Sequence, residues 1–165
     1  MTRVGPLDLR PLTILLVEDD DGDAQAVRRA FQKAKIVNEI LRAVDGIEAL
    51  DILNGANGKS KPPAPFVLFV DINMPRMNGI ELIQAMRRDE ELRPCTVFIL
   101  TTSKRDEDVI AAYDLNVAGY IVKESAGRDF LSLVDLIEAF TRIVELPLTL
   151  RIRDWASHAE YPDHR

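Results

Sequence analysis

Five short apolar runs punctuate the chain, at residues 13–17 (TILLV), 39–44 (EILRAV), 66–70 (FVLFV), 97–100 (VFIL) and 120–122 (YIV). Four of the five do not alternate with polar positions, as a strand buried on both faces of a helix-covered parallel sheet requires. Between the runs the apolar period lengthens. Ala24, Val27, Phe31 and Ala34 recur about one helical turn apart, as do Leu50 with Leu53, Ile83 with Met86, and Val109 with Ile110 and Tyr113. The elements therefore read βαβαβαβαβα.

Each parallel strand needs a crossover and a helix supplies it, so this order predicts an open, doubly wound α/β sheet with helices on both faces. Five strands point to the flavodoxin-like order 2-1-3-4-5. Residues 54–65 (NGANGKSKPPAP) read as a loop before the third strand. The last helix is predicted from about Ala126 to Val144, with Phe130, Leu131, Leu133, Val134, Leu136, Ile137, Phe140, Ile143 and Val144 too widely spread for one contact face. Something besides the sheet is expected to cover part of it. Pro147 is expected to end helical structure, and Leu146, Leu148, Leu150 and Ile152 alternate with Pro, Thr and Arg in the period-two pattern of a strand with one apolar side. The expected organisation is a lead at 1–11, one domain at 12–145, and a C-terminal extension at 146–165 that acts as a dimerisation arm. Trp155 is its candidate anchor, and His158 and His164 are tail residues.

The length of 165 residues leaves no room for a second effector domain beside this core. The formal net charge of −6 opposes binding to nucleic acid or an anionic membrane surface. A single cysteine, Cys95, allows no internal disulfide, no residues form a signal sequence, and no apolar run approaches a membrane span. A cytoplasmic protein fits these features. Both histidines fall within the last eight residues, so nucleophilic or metal chemistry built on histidine is excluded from the folded body.

Carboxylates must carry the chemistry there. In a parallel α/β sheet the site lies beyond the carboxyl ends of the strands, so the informative residues are those immediately after each apolar run. The first run is followed by Glu18, Asp19, Asp20, Asp21 and Asp23, and the third by Asp71, Ile72, Asn73, Met74 and Pro75. The fourth leads to Thr101, Thr102 and Ser103, and the fifth to Lys123. Two carboxylates ~4 Å apart at an effective dielectric of ~20 repel by about 4 kcal/mol. A cation at Asp19 and Asp71 removes that cost, and oxygen ligands without His or Cys favour Mg²⁺. Lys123 can meet a carboxylate or a phosphoryl group, and the Thr101 hydroxyl can donate to a phosphoryl oxygen. These are the parts of a phosphoryl-transfer site.

The motifs ILLVEDD, VDINMPRMNG, LTTS and GYIVK, in this order and each at the end of its apolar run, resemble the receiver domain of two-component response regulators across about residues 12–144. The resemblance implies that Asp71 attacks the phosphohistidine of a histidine kinase in a Mg²⁺-dependent reaction, giving an acyl phosphate. It places the metal on Glu18, Asp19, Asp71 and the main-chain carbonyl of Asn73. Thr101 and Lys123 hold the phosphoryl oxygens, movement of Thr101 lets Tyr120 rotate inward, and Asn73 and Ser103 occupy positions that tune the lifetime. Such a protein is no conventional enzyme. It catalyses its own phosphorylation and slow dephosphorylation, and acts by switching a surface near the fourth and fifth helices. Phosphate is passed to a histidine phosphotransfer protein or simply removed.

The chain departs from the family twice. Glu124 follows Lys123 where a proline in a cis peptide is usual, and the cost of a non-proline cis bond, ~2.5–4 kcal/mol, favours trans. Glu18 stands where Asp is commoner. Within the family, VEDD, the long Pro-containing loop and LTTS look most like the single-domain regulators paired with bacterial phytochrome kinases, some of which dimerise through C-terminal arms.

Two further readings compete. An aspartate-nucleophile phosphohydrolase needs a second Asp two residues after the nucleophile, where this chain has Asn73, an amide that cannot shuttle a proton. A nucleotide binder needs a Gly-rich loop where this chain has Glu18 to Asp21, which repel phosphate. A receiver-like module that binds without phosphorylation is the remaining alternative. Helix capping suffices to explain Asp20, Asp21 and Asp23.

Overall fold

The computed structural model describes residues 12–35 and 38–146. Strands β1 (Thr13–Val17), β2 (Ile40–Ala43), β3 (Phe66–Val70), β4 (Thr96–Thr101) and β5 (Gly119–Val122) form one sheet in the order β2-β1-β3-β4-β5. All pairings are parallel, and Val17 sits level with both Ala43 and Val70 at the site end. Helices α1 (Asp21–Lys33), α2 (Gly46–Asn54), α3 (Gly79–Arg88), α4 (Asp106–Asp114) and α5 (Leu131–Ile143) make the crossovers and the final cover. The doubly wound, five-stranded order expected from the apolar runs is the one observed.

Alternation along the buried strands divides the core in two. Leu15, Val17, Leu68, Val70, Val97 and Ile99 face α2 and α3, meeting Ala49, Ile52, Leu82, Ile83 and Met86. Ile14, Leu16, Val67, Phe69, Phe98 and Leu100 face α1 and α5, meeting Ala24, Val27, Phe31, Leu133, Val134 and Ile137. Phe98 stacks on Phe69 at 5.3 Å and meets the Phe140 edge at 5.4 Å. Every strand residue of β1 is buried, so the apolar run reflects a strand covered on both sides. β2 and β5 are the partly exposed edges; β2 is shorter than residues 39–44 and contains Arg42, the only charged residue within a strand among the described residues.

The last helix begins later than its apolar pattern predicts. Residues Lys123–Ala126 and Arg128–Phe130 form two 3₁₀ turns, and α5 starts at Leu131. Gly127 at φ +83°, Asp129 at +53° and Phe130 at +60° break the helical path. A Cβ on Gly127 would lie 2.4 Å from Ser132 Oγ, so the tight turn needs this glycine. Phe130 is buried in the second core from that turn, so its place in the apolar pattern is kept without a helix. The surplus apolar positions are real: Leu131, Leu136, Ile143 and Val144 are exposed. Leu146 packs partly against the second core. Leu148, Leu150, Ile152, Trp155 and both histidines lie outside the described residues. The single cis peptide among the described residues is Ala64–Pro65, so Lys123–Glu124 is trans. Among these residues no helix is long and apolar enough to cross a membrane.

Candidate functional site

Glu18 follows β1 and Asp71 follows β3, on neighbouring strands. The Glu18 N–H donates to the Ala43 carbonyl at 2.9 Å and the Asp71 N–H to the Val17 carbonyl at 3.0 Å, so both backbones continue the sheet by one residue. Both side chains are buried, whereas Asp19 is exposed. One carboxylate oxygen from each of Glu18, Asp19 and Asp71 lies within 4.8 Å of the others.

The frame around Asp71 is close-packed. Gly79 opens α3 directly against it, and a Cβ on Gly79 would sit 2.2 Å from the Asp71 carbonyl oxygen. The Gly79 N–H donates to the Ile72 carbonyl at 3.0 Å, and a capping box between Asn78 and Glu81 fixes the start of the helix. The intervening loop is tied to α2 by an ion pair of 3.4 Å between Arg76 and buried Asp45, and by the Gly46 N–H donating to the Met77 carbonyl at 3.1 Å. Asn73 lies exposed in this loop.

Lys123 leaves the end of β5 and points into the acidic pocket. Its Nζ lies 2.7 Å from Glu18, 2.7 Å from Asp23 and 3.4 Å from Asp71 Oδ2. Burial opposes the ammonium charge, but the bonds to Asp23 and Glu18 and the field of Asp71 outweigh it and hold the pKa above the ordinary lysine value. The Glu18 pKa is raised as well, which in a carboxyl disfavours the charged form. Burial pushes its carboxyl up from 4.5 to about 7; the bond from Lys123 pulls against this, and the neighbouring Asp71 charge adds to it.

Asp71 Oδ1 is the one fully buried side-chain oxygen among the described residues without a hydrogen-bond partner. A buried carboxylate oxygen left bare is costly, and a site for a cation or a covalent group explains its retention. All-oxygen donors with several negative charges suit a hard divalent ion. The acidic residues expected at this site are therefore brought together, and they fit such an ion.

The switch candidates form a second cluster beside the first. Thr101 is fully buried at the end of β4, and its Oγ1 accepts from the Ser103 N–H at 3.3 Å. The Tyr120 hydroxyl donates to the Ser103 carbonyl at 3.0 Å, and the Ser103 hydroxyl donates to Asp108 in the first turn of α4. Among the described residues no hydrogen bond joins Thr101 to Asp71 or Lys123. Ser103 is thus the centre that links the Thr101 hydroxyl, the Tyr120 ring and α4.

The other aspartates divide by role. Asp20 caps α1, accepting from the Asp23 N–H at 2.7 Å, and Asp21 pairs with Arg42 at 2.7 Å. Asp23 does not conform to the capping explanation, because its carboxylate reaches Lys123, a hundred residues on. The only sequence signal for that contact was its placement on the first turn of the helix that starts at the strand end.

Residues 14–135 match the family model of the response regulator receiver domain. Over 130 residues the chain is 32% identical to response regulator Rcp1 of Synechocystis sp., covering 79% of this chain and 88% of Rcp1. The crystal structure of the Mn²⁺-bound form of Rcp1 has a TM-score of 0.71 at 31% identity, over 83% of this chain and 99% of that one. The phosphorylated cyanobacterial phytochrome response regulator RcpA gives 0.75 at 28% identity, over 84% and 99%. The bacteriophytochrome response regulator RtBRR gives 0.65 at 31% identity, over 94% and 99%.

Proposed function

The chain belongs to the response regulator receiver family, and from that premise we propose that Asp71 is its phosphoacceptor. Receiver domains work with histidine kinases, and this one is a phosphoacceptor of two-component signalling. The observation that carries the assignment is the bare, buried Asp71 Oδ1 beside two further carboxylates and an ammonium.

In the proposed reaction a carboxylate oxygen of Asp71 attacks the phosphorus of a phosphohistidine. The new P–O bond forms as the P–N bond breaks, and the imidazole nitrogen leaves with the electron pair and takes a proton. Attack by water later breaks that P–O bond and returns the carboxylate and inorganic phosphate, so the protein promotes both its own phosphorylation and its slow dephosphorylation. Glu18, Asp19, Asp71 and the Asn73 carbonyl are the residues that would hold Mg²⁺. Bound there, Mg²⁺ would offset the negative charge of the entering phosphoryl group. Lys123 turns its ammonium to a phosphoryl oxygen and the Thr101 hydroxyl donates to another. The shift of Thr101 is passed through Ser103 to Tyr120 and to α4, which changes the surface offered to partners.

The regulators named for phytochromes among the similar structures support a bacterial phytochrome histidine kinase as the donor. A histidine phosphotransfer protein is the onward acceptor in the same scheme, in the cytoplasm. Exposed Leu136, Ile143 and Val144 support self-association through α5 together with Leu146, Leu148, Leu150 and Ile152. Removal of residues 146–165 is expected to shift sedimentation towards the monomer, and an unchanged profile removes the arm from this reading.

Intact-mass spectrometry after acetyl phosphate treatment tests the phosphoacceptor. The expected result is one phosphoryl adduct in the wild type with Mg²⁺, and none without Mg²⁺ or in Asp71→Asn. Undiminished labelling of Asp71→Asn would move the site elsewhere.

A further inference from the structure

An ammonium has three N–H bonds, and Lys123 is surrounded by three carboxylates. The two short contacts go to Glu18 and Asp23, and the long one goes to Asp71, the residue expected to be modified. A phosphoryl group on Asp71 brings further oxygens within reach of this ammonium, which then compete with its two short contacts.

The two short partners are not equivalent. Glu18 is buried and belongs to the group of carboxylates that fits a divalent ion, so its charge is in demand there. Asp23 lies outside that group, and its side chain is 37% exposed against 9% for Lys123. Its carboxylate has no part in closing α1, because Asp20 caps the Asp23 N–H. After letting go of Lys123 it would stay in the first helical turn, in contact with water and beside the positive end of the helix dipole, where a free carboxylate is tolerated.

We propose that Asp23 is a positioning residue that holds the Lys123 ammonium in reserve while Asp71 is unmodified, and that phosphorylation draws the ammonium away from it. This rests on Asp71 being the phosphoacceptor. The exchange gives α1 a role: its first turn gains an unpaired negative charge whenever Asp71 is modified.

The test has two readouts on the full chain, with Asp23→Asn, which keeps the oxygen acceptor and removes the charge, and Asp23→Glu, which restores the charge. In metal-free protein carrying ¹⁵N-lysine, the Lys123 ammonium resonance of the wild type should shift and exchange its protons faster in Asp23→Asn, and return in Asp23→Glu. An unchanged resonance in Asp23→Asn overturns the proposal while leaving the phosphoacceptor reading intact. At saturating Mg²⁺, beryllium fluoride serves as the phosphoryl mimic. A reserve contact reduces the fraction of molecules ready to bind, so its loss should tighten beryllium fluoride binding about three- to tenfold. Equal or weaker binding by Asp23→Asn overturns the proposal, and a wild type that binds no more than Asp71→Asn overturns the phosphoacceptor reading and the inference with it.

Discussion

Two partly buried cations sit at opposite ends of the sheet, and they are held by different kinds of partner. Lys123, beyond the carboxyl end of β5, is surrounded by Glu18, Asp23 and Asp71. Arg87, in the last turn of α3, donates only to main-chain carbonyls among the described residues: Leu115 at 2.8 Å, Arg93 at 2.6 Å, Cys95 at 2.9 Å and Asn116 at 3.2 Å. Burial lowers the Arg87 pKa, with no carboxylate among these partners to reverse the effect, whereas the carboxylates around Lys123 raise its pKa despite burial. Carbonyls cannot change their charge. Carboxylates lose or share theirs when a proton, a metal ion or a phosphoryl group arrives. The guanidinium fork is therefore a permanent fastening between α3 and the loops that lead into β4 and β5, and the ammonium is an exchangeable one.

The sharpest way to break this contrast is Arg87→Met, which strips donors from four carbonyls and should cost about 3 kcal/mol of stability in urea unfolding. Its gain in Tm on adding Mg²⁺ should equal that of the wild type. A larger gain would mean that the two ends of the sheet communicate and that the fastening is not merely structural. Lys123→Met should cost less, about 1–2 kcal/mol, because Glu18 can take up a proton when its cation is gone. Here calorimetric titration should find Mg²⁺ bound more tightly than in the wild type, since the ion no longer competes with an internal cation. Weaker Mg²⁺ binding would show that Lys123 supports the metal site instead of competing with it. Phosphorylated Lys123→Met should also fail to reorganise the Tyr120 surface, read as unchanged accessibility of that ring.

The end of the sheet that carries the chemistry was largely legible in the sequence, and the other end was not. Short unbroken apolar runs between segments of helical period read as strands of a covered sheet, and parallel strands place their following residues together. Glu18, Asp71, Thr101 and Lys123 could therefore be grouped by position alone. Arg87 offered no such signal, because its partners are main-chain atoms, which every sequence possesses. Asp23 was hidden for a related reason: carboxylates in a first helical turn are already accounted for by the dipole, and the contact with Lys123 depends on how the chain folds. The start of α5 was misread because Phe130 satisfies the apolar spacing while its backbone is left-handed, a fact that side-chain periodicity does not record. The edge strand β2 was overextended by a residue at each end for the opposite reason, since apolarity at an edge fades without a sharp stop.

Gly79 has no side chain to react, yet the Asp71 main chain occupies the space in which any side chain would begin. Tolerance to substitution should therefore be as narrow at this position as at the reacting aspartate. A saturation library screened for signalling would group Gly79 with the chemistry, and screening the same library for soluble expression would separate the two, since Asp71 variants should survive and Gly79 variants should not.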